Sequence, residues 1–166
     1  ASFFTITGFF FVASVSDAFS EASIRGFLAG AVFFMIFLSP ALTMRLIAEE
    51  QKLGTMELLM TSPLKDFEIV IGKFLAALSI IIVMIIGTFF YPIILIIFGV
   101  PDFGPIFTGY FGLILYSSST LSVGIFASSL SSNQLVSLVV GSGILSFLTF
   151  IDFVSSRLSG AFGTIL

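Results

Sequence analysis

The side chains that could take part in chemistry are concentrated in one short segment of this 166-residue chain. The whole chain has six basic and nine acidic residues, and nine of these fifteen lie between positions 45 and 73: Arg45, Glu49, Glu50, Lys52, Glu57, Lys65, Asp66, Glu68 and Lys73. There is no His, Cys or Trp, so the side chains that most metal sites, thiol nucleophiles and imidazole bases require are missing. The segment is therefore suited to ion pairing and partner binding, and most enzyme classes are disfavoured.

The chain as a whole has the composition of a membrane protein. It is 58% hydrophobic and 9% charged overall, whereas soluble domains are roughly 45–50% apolar and about 25% charged. The net charge is −3, so a nucleic-acid backbone would meet no basic surface. We therefore expect lipid, and not nucleic acid, to surround the chain.

Five uncharged runs predict membrane-spanning helices. A helix needs about 20 apolar residues to cross roughly 30 Å of hydrocarbon. The runs are continuous and do not alternate with a period of two, which favours helices over strands. The predicted spans are 1–15, 26–44, 74–98, 106–128 and 135–151. Because the chain opens inside the first and shortest run, we expect that run to be the end of a helix that starts earlier.

Basic residues predict the orientation, since Lys and Arg near span ends stay in the cytoplasm. Four of the six basic residues lie between the second and third spans: Arg45, Lys52, Lys65 and Lys73. That loop is predicted to be cytoplasmic, which places the N-terminus inside and makes 130–134 a tight inner turn. The tail, 154–166, contains Gly160 and Gly163 and is expected to be too broken to cross, lying outside and leading to a further helix.

Residues 45–68 predict an amphipathic connector with the order helix, break, helix. Gly54 interrupts the pattern and Pro63 ends it, and Asp66 or a neighbour is expected to cap the helix that enters the third span. Apolar residues recur near one face of the connector at helical spacing: Leu46, Leu53, Met56 and Met60. From the residues alone, the connector is a solvated loop, a helix on the membrane surface or a docking element.

A series of short motifs runs in order through the connector and its flanks over about 35 positions: Pro40-Ala41-Leu42-Thr43-Met44-Arg45, Ala48-Glu49-Glu50, Gly54-Thr55-Met56-Glu57-Leu58-Leu59, Thr61-Ser62-Pro63 and Ile69-Val70-Ile71-Gly72-Lys73-Phe74. This series resembles permease subunits of ABC-2 type ATP-binding cassette transporters, most closely the branch that includes the gliding-motility-associated permeases. The resemblance continues more weakly through Pro101-Asp102-Phe103-Gly104-Pro105 and Gly124-Ile125-Phe126-Ala127-Ser128-Ser129-Leu130.

The resemblance implies an all-α, polytopic helical bundle in the inner (cytoplasmic) membrane. Five of an expected six spans are visible in one permease domain over 1–166, which includes the cytoplasmic connector 45–68. The implied partners are ABC ATPase subunits, a second permease copy or paralogue, and membrane lipid. Such a complex would move a substrate, most commonly outward.

The resemblance also assigns the connector to a coupling helix that packs against the ATPase. The implied coupling residues are Arg45, Glu49, Glu50, Gly54, Thr55, Glu57, Leu58, Leu59 and Pro63. No Gly-x-x-x-x-Gly-Lys-Ser/Thr phosphate loop occurs in the sequence, so ATP and Mg²⁺ are expected on the partner and no cofactor in this chain. We further expect Glu50 and Glu57 to pair with basic residues of the ATPase.

Inside the predicted spans there is essentially no ionisable group of the kind that marks ion pathways. Lys73, Asp102 and Asp152 lie near span ends, and we expect them to have mainly structural roles. The many Ser and Gly residues of the fourth and fifth spans favour close helix packing over a substrate path. Pro92 is predicted to kink the third span and to leave a carbonyl one turn earlier without its helical partner.

Two functions from different classes therefore remain open. The first is a transporter permease driven by a separate ATPase. The second is a membrane anchor or assembly scaffold whose cytoplasmic helix docks a partner without transport. An intramembrane enzyme is disfavoured by the missing His and Cys and by the lack of facing carboxylates.

Overall fold

The chain is helical over the part that the structure, a computed structural model, describes: residues 2–16, 25–55, 65–98 and 103–163, with side chains for 2–13, 26–55, 65–97 and 103–151. Its helices are α1 (Ser2–Ser16), α2 (Arg25–Thr43), α3 (Ala48–Leu53), α4 (Asp66–Gly87), α5 (Phe90–Phe98), α6 (Phe103–Ser129) and α7 (Gln134–Gly163). The described ranges contain no strand, and the predicted all-α fold is confirmed.

Four helical stretches of the described chain are long and apolar enough to cross a membrane: Gly26–Leu53, Asp66–Ile97, Phe103–Ser129 and Gln134–Ile151. Helix α1 has 15 residues, fewer than the roughly 20 that a perpendicular crossing requires. Large apolar side chains such as Phe33, Val83 and Phe107 point away from the bundle and are more than half exposed. Lipid covers such faces in a membrane, so the protein is a polytopic helical membrane protein.

Helices α2 and α6 run side by side in the same direction. Ser39 shares a hydrogen bond with Thr120, and Gly124 lies directly against Thr43. The partners in both pairs are 81 positions apart, and the second pair follows the first by four residues on each helix. One i, i+4 ridge of each helix therefore forms the contact, as expected for two spans that cross the membrane in the same direction.

Helices α1 and α7 pack against this pair through glycines. A Cβ added at Gly30 of α2 would lie 2.7 Å from the ring of Phe10 in α1, and one added at Gly141 of α7 would lie 3.1 Å from Pro40 and 3.2 Å from Ala127. The absence of a side chain lets these backbones approach closely. The prediction that small residues of the fourth and fifth spans serve helix packing is confirmed at Gly141.

The third predicted span is interrupted between α4 and α5, close to Pro92. Proline has no N–H, so the Thr88 carbonyl loses the donor that a regular helix would give it. That oxygen instead accepts hydrogen bonds from the Tyr91 N–H at 3.0 Å and from the Tyr110 hydroxyl at 3.1 Å. The predicted loss of the helical partner at this carbonyl is confirmed, and α6 supplies a replacement donor.

An aromatic cluster surrounds this break at the end of the bundle remote from the connector. The ring of Phe27 lies 5.1 Å from that of Tyr91 and 5.8 Å from that of Tyr110, between centroids, and Tyr110 stacks on Phe89 at 4.8 Å. The Tyr91 hydroxyl donates to the Phe4 carbonyl at 3.2 Å. The cluster thus joins α1, α2, α5 and α6.

The start of α4 and the end of α7 both lie outside the predicted apolar runs. Lys65 is the N-cap residue of α4 but makes no side-chain cap hydrogen bond; its N–H instead donates to the carboxylate of Glu68 at 3.1 Å, so Glu68 and not Asp66 stabilises this helix start. The prediction of a broken tail is wrong, because α7 continues to Gly163. A glycine in a helix costs only about 1 kcal/mol, so Gly160 does not end a helix that is already propagating.

Candidate functional site at the connector end of the bundle

The described part of the connector contains a turn and the short helix α3. The turn at 44–47 follows α2 directly, with the Met44 N–H donating to the Pro40 carbonyl at 2.8 Å. Helix α3 ends at Gly54, which has φ 72°, a left-handed conformation that glycine adopts without strain. The helix and the break at Gly54 are therefore confirmed, and the chain leaves α3 in a direction that Gly54 sets.

Ser128, in the last turn of α6, acts as the cap that α3 lacks. The N-cap residue Ile47 makes no side-chain cap hydrogen bond. The Ser128 Oγ accepts hydrogen bonds from the N–H groups of Ile47 at 3.2 Å and Ala48 at 3.1 Å, and donates to the Met44 carbonyl at 3.3 Å. Ser128 and Ala48 are fully buried. A side chain 80 positions away thus satisfies donors that a helix start leaves open.

A second hydrogen bond links α3 to the same end of α6. The Gln51 Nε2 donates to the Ser129 carbonyl at 3.2 Å in an exposed position. The two attachments of α3 to α6, at Ala48 and Gln51, are about one helical turn apart. Together they define both the position and the direction of α3.

Lys73 connects α3 to α4. Its ammonium group contacts the Glu50 carboxylate and the Leu46 carbonyl oxygen. The side chains of Lys73 and Glu50 are 14% and 28% exposed, so solvent screens this pair less than one on an open surface. The structural role predicted for Lys73 is confirmed.

The charged residues of α3 are distributed along the helix in the order that its dipole favours. Glu49 and Glu50 lie in the first turn and Lys52 in the last, where each charge is favoured by the partial charge of the helix terminus. Among the described residues, no three Asp, Glu, His or Cys side chains come together as a metal site. The arrangement is suited to contact with another surface.

The predicted coupling residues are only partly placed by the structure. Arg45 and Gly54 are exposed, whereas Glu49, Glu50 and Thr55 are half-buried. The Glu50 carboxylate already has an intramolecular partner in Lys73, which would compete with any basic residue of another subunit. The other four lie outside the described residues: Glu57, Leu58, Leu59 and Pro63.

The sequence does not predict that Ser128, Gln51 and Lys73 attach α3 to the neighbouring spans. The available signal was position: Ser128 lies at the end of the fourth predicted span that faces the same side of the membrane as the connector. Hydroxyls in spans usually bond back to their own helix, so the residue type alone does not reveal this tertiary contact.

Comparison with known proteins is consistent with this arrangement of helices and connector. A family model described as "ABC-2 family transporter protein" matches residues 3–165. The chain is also similar to the "Probable multidrug ABC transporter permease YbhR" of Escherichia coli strain K12 and to its counterpart in strain O157:H7. Each is 35% identical over 92 residues, which is 53% of this chain and 23% of the relative. The match thus spans less than a quarter of either relative, and no solved structure matches significantly.

Proposed function

Since the chain belongs to the ABC-2 family of transporter proteins, we propose that it is a permease through which ATP hydrolysis on a separate subunit drives a substrate outward across the membrane. Helix α3 is the part of the chain that receives this movement. The chain is one permease domain in this proposal, and residues 45–68 are its cytoplasmic connector.

The attachment of α3 to the bundle is the observation that carries the proposal. It follows α2 after a four-residue turn, bonds to α6 through Ser128, and contacts α4 through Lys73. A helix with three such connections cannot be displaced without moving membrane-spanning helices. The exposed residues Arg45, Lys52 and Leu53 leave one face of this segment available for a partner.

The same proposal assigns partners and location. The partners are ABC ATPase subunits, which hold the ATP and Mg²⁺, and a second permease copy or paralogue. Four of six basic residues lie at 45–73, which favours a cytoplasmic connector. The proposed location is the inner (cytoplasmic) membrane. Within the family, we propose the branch that includes the gliding-motility-associated permeases, because residues 40–74 resemble it.

The substrate class is the least constrained part of the proposal. The two relatives are described as probable multidrug transporter permeases, and this chain lacks charged side chains within its predicted spans. Hydrophobic organic compounds are therefore the first class to test as cargo.

The test is purification of the full-length protein in mild detergent together with its native neighbours. Mass spectrometry and an ATPase assay then show whether a nucleotide-binding subunit accompanies it. In a second preparation, residues 54–59 are replaced by a flexible six-residue linker. The control carries the same linker at 99–104, in the loop predicted to lie on the opposite side of the membrane.

We expect an ATPase to accompany the native protein and the control, and to be lost from the variant with the linker at 54–59. If no ATPase accompanies an intact, folded protein, the permease proposal is wrong in its coupling mechanism and the scaffold function takes its place. If the ATPase is retained despite the linker at 54–59, the coupling segment is elsewhere.

A further inference from the structure

Ser128 is the one hydroxyl of α6 whose described hydrogen bonds are all made to the turn at 44–47 and to the start of α3. Its Oγ contacts the backbone of Met44, Ile47 and Ala48. Ser117, on the same buried side of α6, instead donates to the Leu113 carbonyl of its own helix at 2.7 Å. The two serines are equally buried, so the difference lies in what they connect.

Ser128 also continues the contact between α2 and α6. Thr120 meets Ser39, Gly124 meets Thr43, and the next residue on the same ridge, Ser128, meets the turn after α2. The three α6 positions are four residues apart, so one face of α6 follows α2 and then α3 without interruption. The end of α2, the turn and the start of α3 are thus held against one continuous helix.

The attachment of α3 to α4 is of a different kind. It is made by the long side chain of Lys73, whose four-carbon stem has several rotatable bonds. The Ser128 oxygen is positioned by a single rotatable bond, and it bonds the backbone groups of α3 directly. Movement of α3 is therefore transmitted with less slack to α6 than to α4.

We propose that Ser128 is a positioning residue that makes α3 and the adjoining end of α6 move as one body relative to α4 when the partner ATPase changes state. The inference rests on the proposed function, because the ATPase supplies the movement. It adds a residue of the fourth span to a coupling element that the sequence places only between the second and third.

The experiment measures distances between spin labels in the full-length protein bound to its ATPase. Labels are attached through Leu53→Cys on α3, Leu130→Cys just after α6, and Phe67→Cys at the start of α4, which are 67%, 59% and 72% exposed. The sequence has no cysteine of its own. Distances are measured without nucleotide and after trapping with ATP and vanadate, so no substrate needs to be known.

In the native protein we expect trapping to change the 53–67 and 130–67 distances together, by on the order of 2 Å, the size of helix shifts at moving interfaces. Ser128→Ala should keep the 53–67 change and lose most of the 130–67 change. Ser117→Ala should keep both. The side chains introduced by Ser128→Thr and Ser128→Val have nearly the same shape, but only Thr has a hydroxyl. If the 130–67 change is retained in Ser128→Thr and lost in Ser128→Val, the effect is due to the hydroxyl and not to side-chain volume.

Two results would overturn the inference while the proposed function stands. One is an undiminished 130–67 change in both Ser128→Ala and Ser128→Val. The other is an ATPase-active native complex in which neither distance responds to trapping. Failure of any ATPase to associate is recognised separately by co-purification, and it removes the proposed function together with this inference.

Discussion

The hydroxyl of Tyr110 donates a hydrogen bond at 3.1 Å to the carbonyl oxygen of Thr88, at the point where the third span is interrupted. Both residues are buried, so water does not offer a substitute. Non-helical backbone at membrane depth is tolerated only where protein groups satisfy it. A side chain of α6 therefore maintains the break that Pro92 causes in a neighbouring helix.

Tyr110→Phe should destabilise the protein by about 1 kcal/mol, because the Thr88 carbonyl keeps only the Tyr91 N–H as a donor. The ring contacts with Phe27 and Phe89 remain. The measurement is unfolding in detergent by titration with a denaturing detergent. Tyr116→Phe is the matched control: Tyr116 lies on the same helix, away from the break, and is only half-buried, so a smaller loss is expected there. Equal losses would contradict a special role for Tyr110.

Gly124→Ala should weaken the contact between α2 and α6. The added Cβ would overlap the Thr43 hydroxyl and lie 3.3 Å from the Ser39 carbonyl oxygen, and overpacking of this kind costs about 1–3 kcal/mol. Thermal unfolding in detergent measures the effect. Gly112→Ala, where nothing lies within 4 Å of the new atom, should be neutral or slightly stabilising.

The double variant Gly124→Ala with Thr43→Ala separates this clash from a general loss of packing. Removing the hydroxyl makes room for the new methyl group, so the two changes together should cost less than the sum of each alone. Strict additivity would show that the two helices do not meet at these residues.

The ion pair between Lys73 and Glu50 should contribute a coupling energy of about 1 kcal/mol, the upper part of the range for partly exposed pairs. A double-mutant cycle with Lys73→Met and Glu50→Gln measures it by denaturant unfolding. Repeating the cycle in 1 M salt should reduce the coupling, because the Debye length then falls to about 3 Å. A coupling near zero at low salt would mean that the pair does not fix α3 to α4.

Gly54→Ala should lower the ATP turnover that the permease stimulates in its ATPase, even when the amount of folded permease is held equal. The left-handed φ of 72° costs a residue with a Cβ about 1–2 kcal/mol, although nothing lies within 4 Å to obstruct the atom. Relief of that strain would turn the segment after α3 to a new direction. Gly54→Asn is the control, since Asn enters this conformation more readily. The readout is ATP turnover of the purified complex at equal permease content, and equal activities of the two variants would rule out a need for this backbone conformation.

The membrane spans followed from the sequence alone because their cause is local. A backbone in hydrocarbon must satisfy its own polar groups within the helix, so continuous apolar runs predicted α2 and α6 within a few residues. They placed α4 and α7 correctly but made them too short, since α4 begins at Asp66 and α7 continues to Gly163. The interruption near Pro92 and the break at Gly54 are predictable for the same reason, since each depends on the residue's own covalent geometry. Local reasoning fails for the tail of α7, because the effect of Gly160 and Gly163 depends on the helix that already precedes them.

Only the tertiary structure decided which polar groups meet. Ser117 and Ser128 are the same residue type in the same span, yet one bonds its own helix and the other caps α3. A serine hydroxyl has similar energy in either bond, so the choice depends on which backbone groups packing brings within reach. The sequence therefore determined a bundle of helices with one polar connector, and the parallel packing of α2 against α6 determined that this connector is joined to the fourth span as well as to the two that flank it.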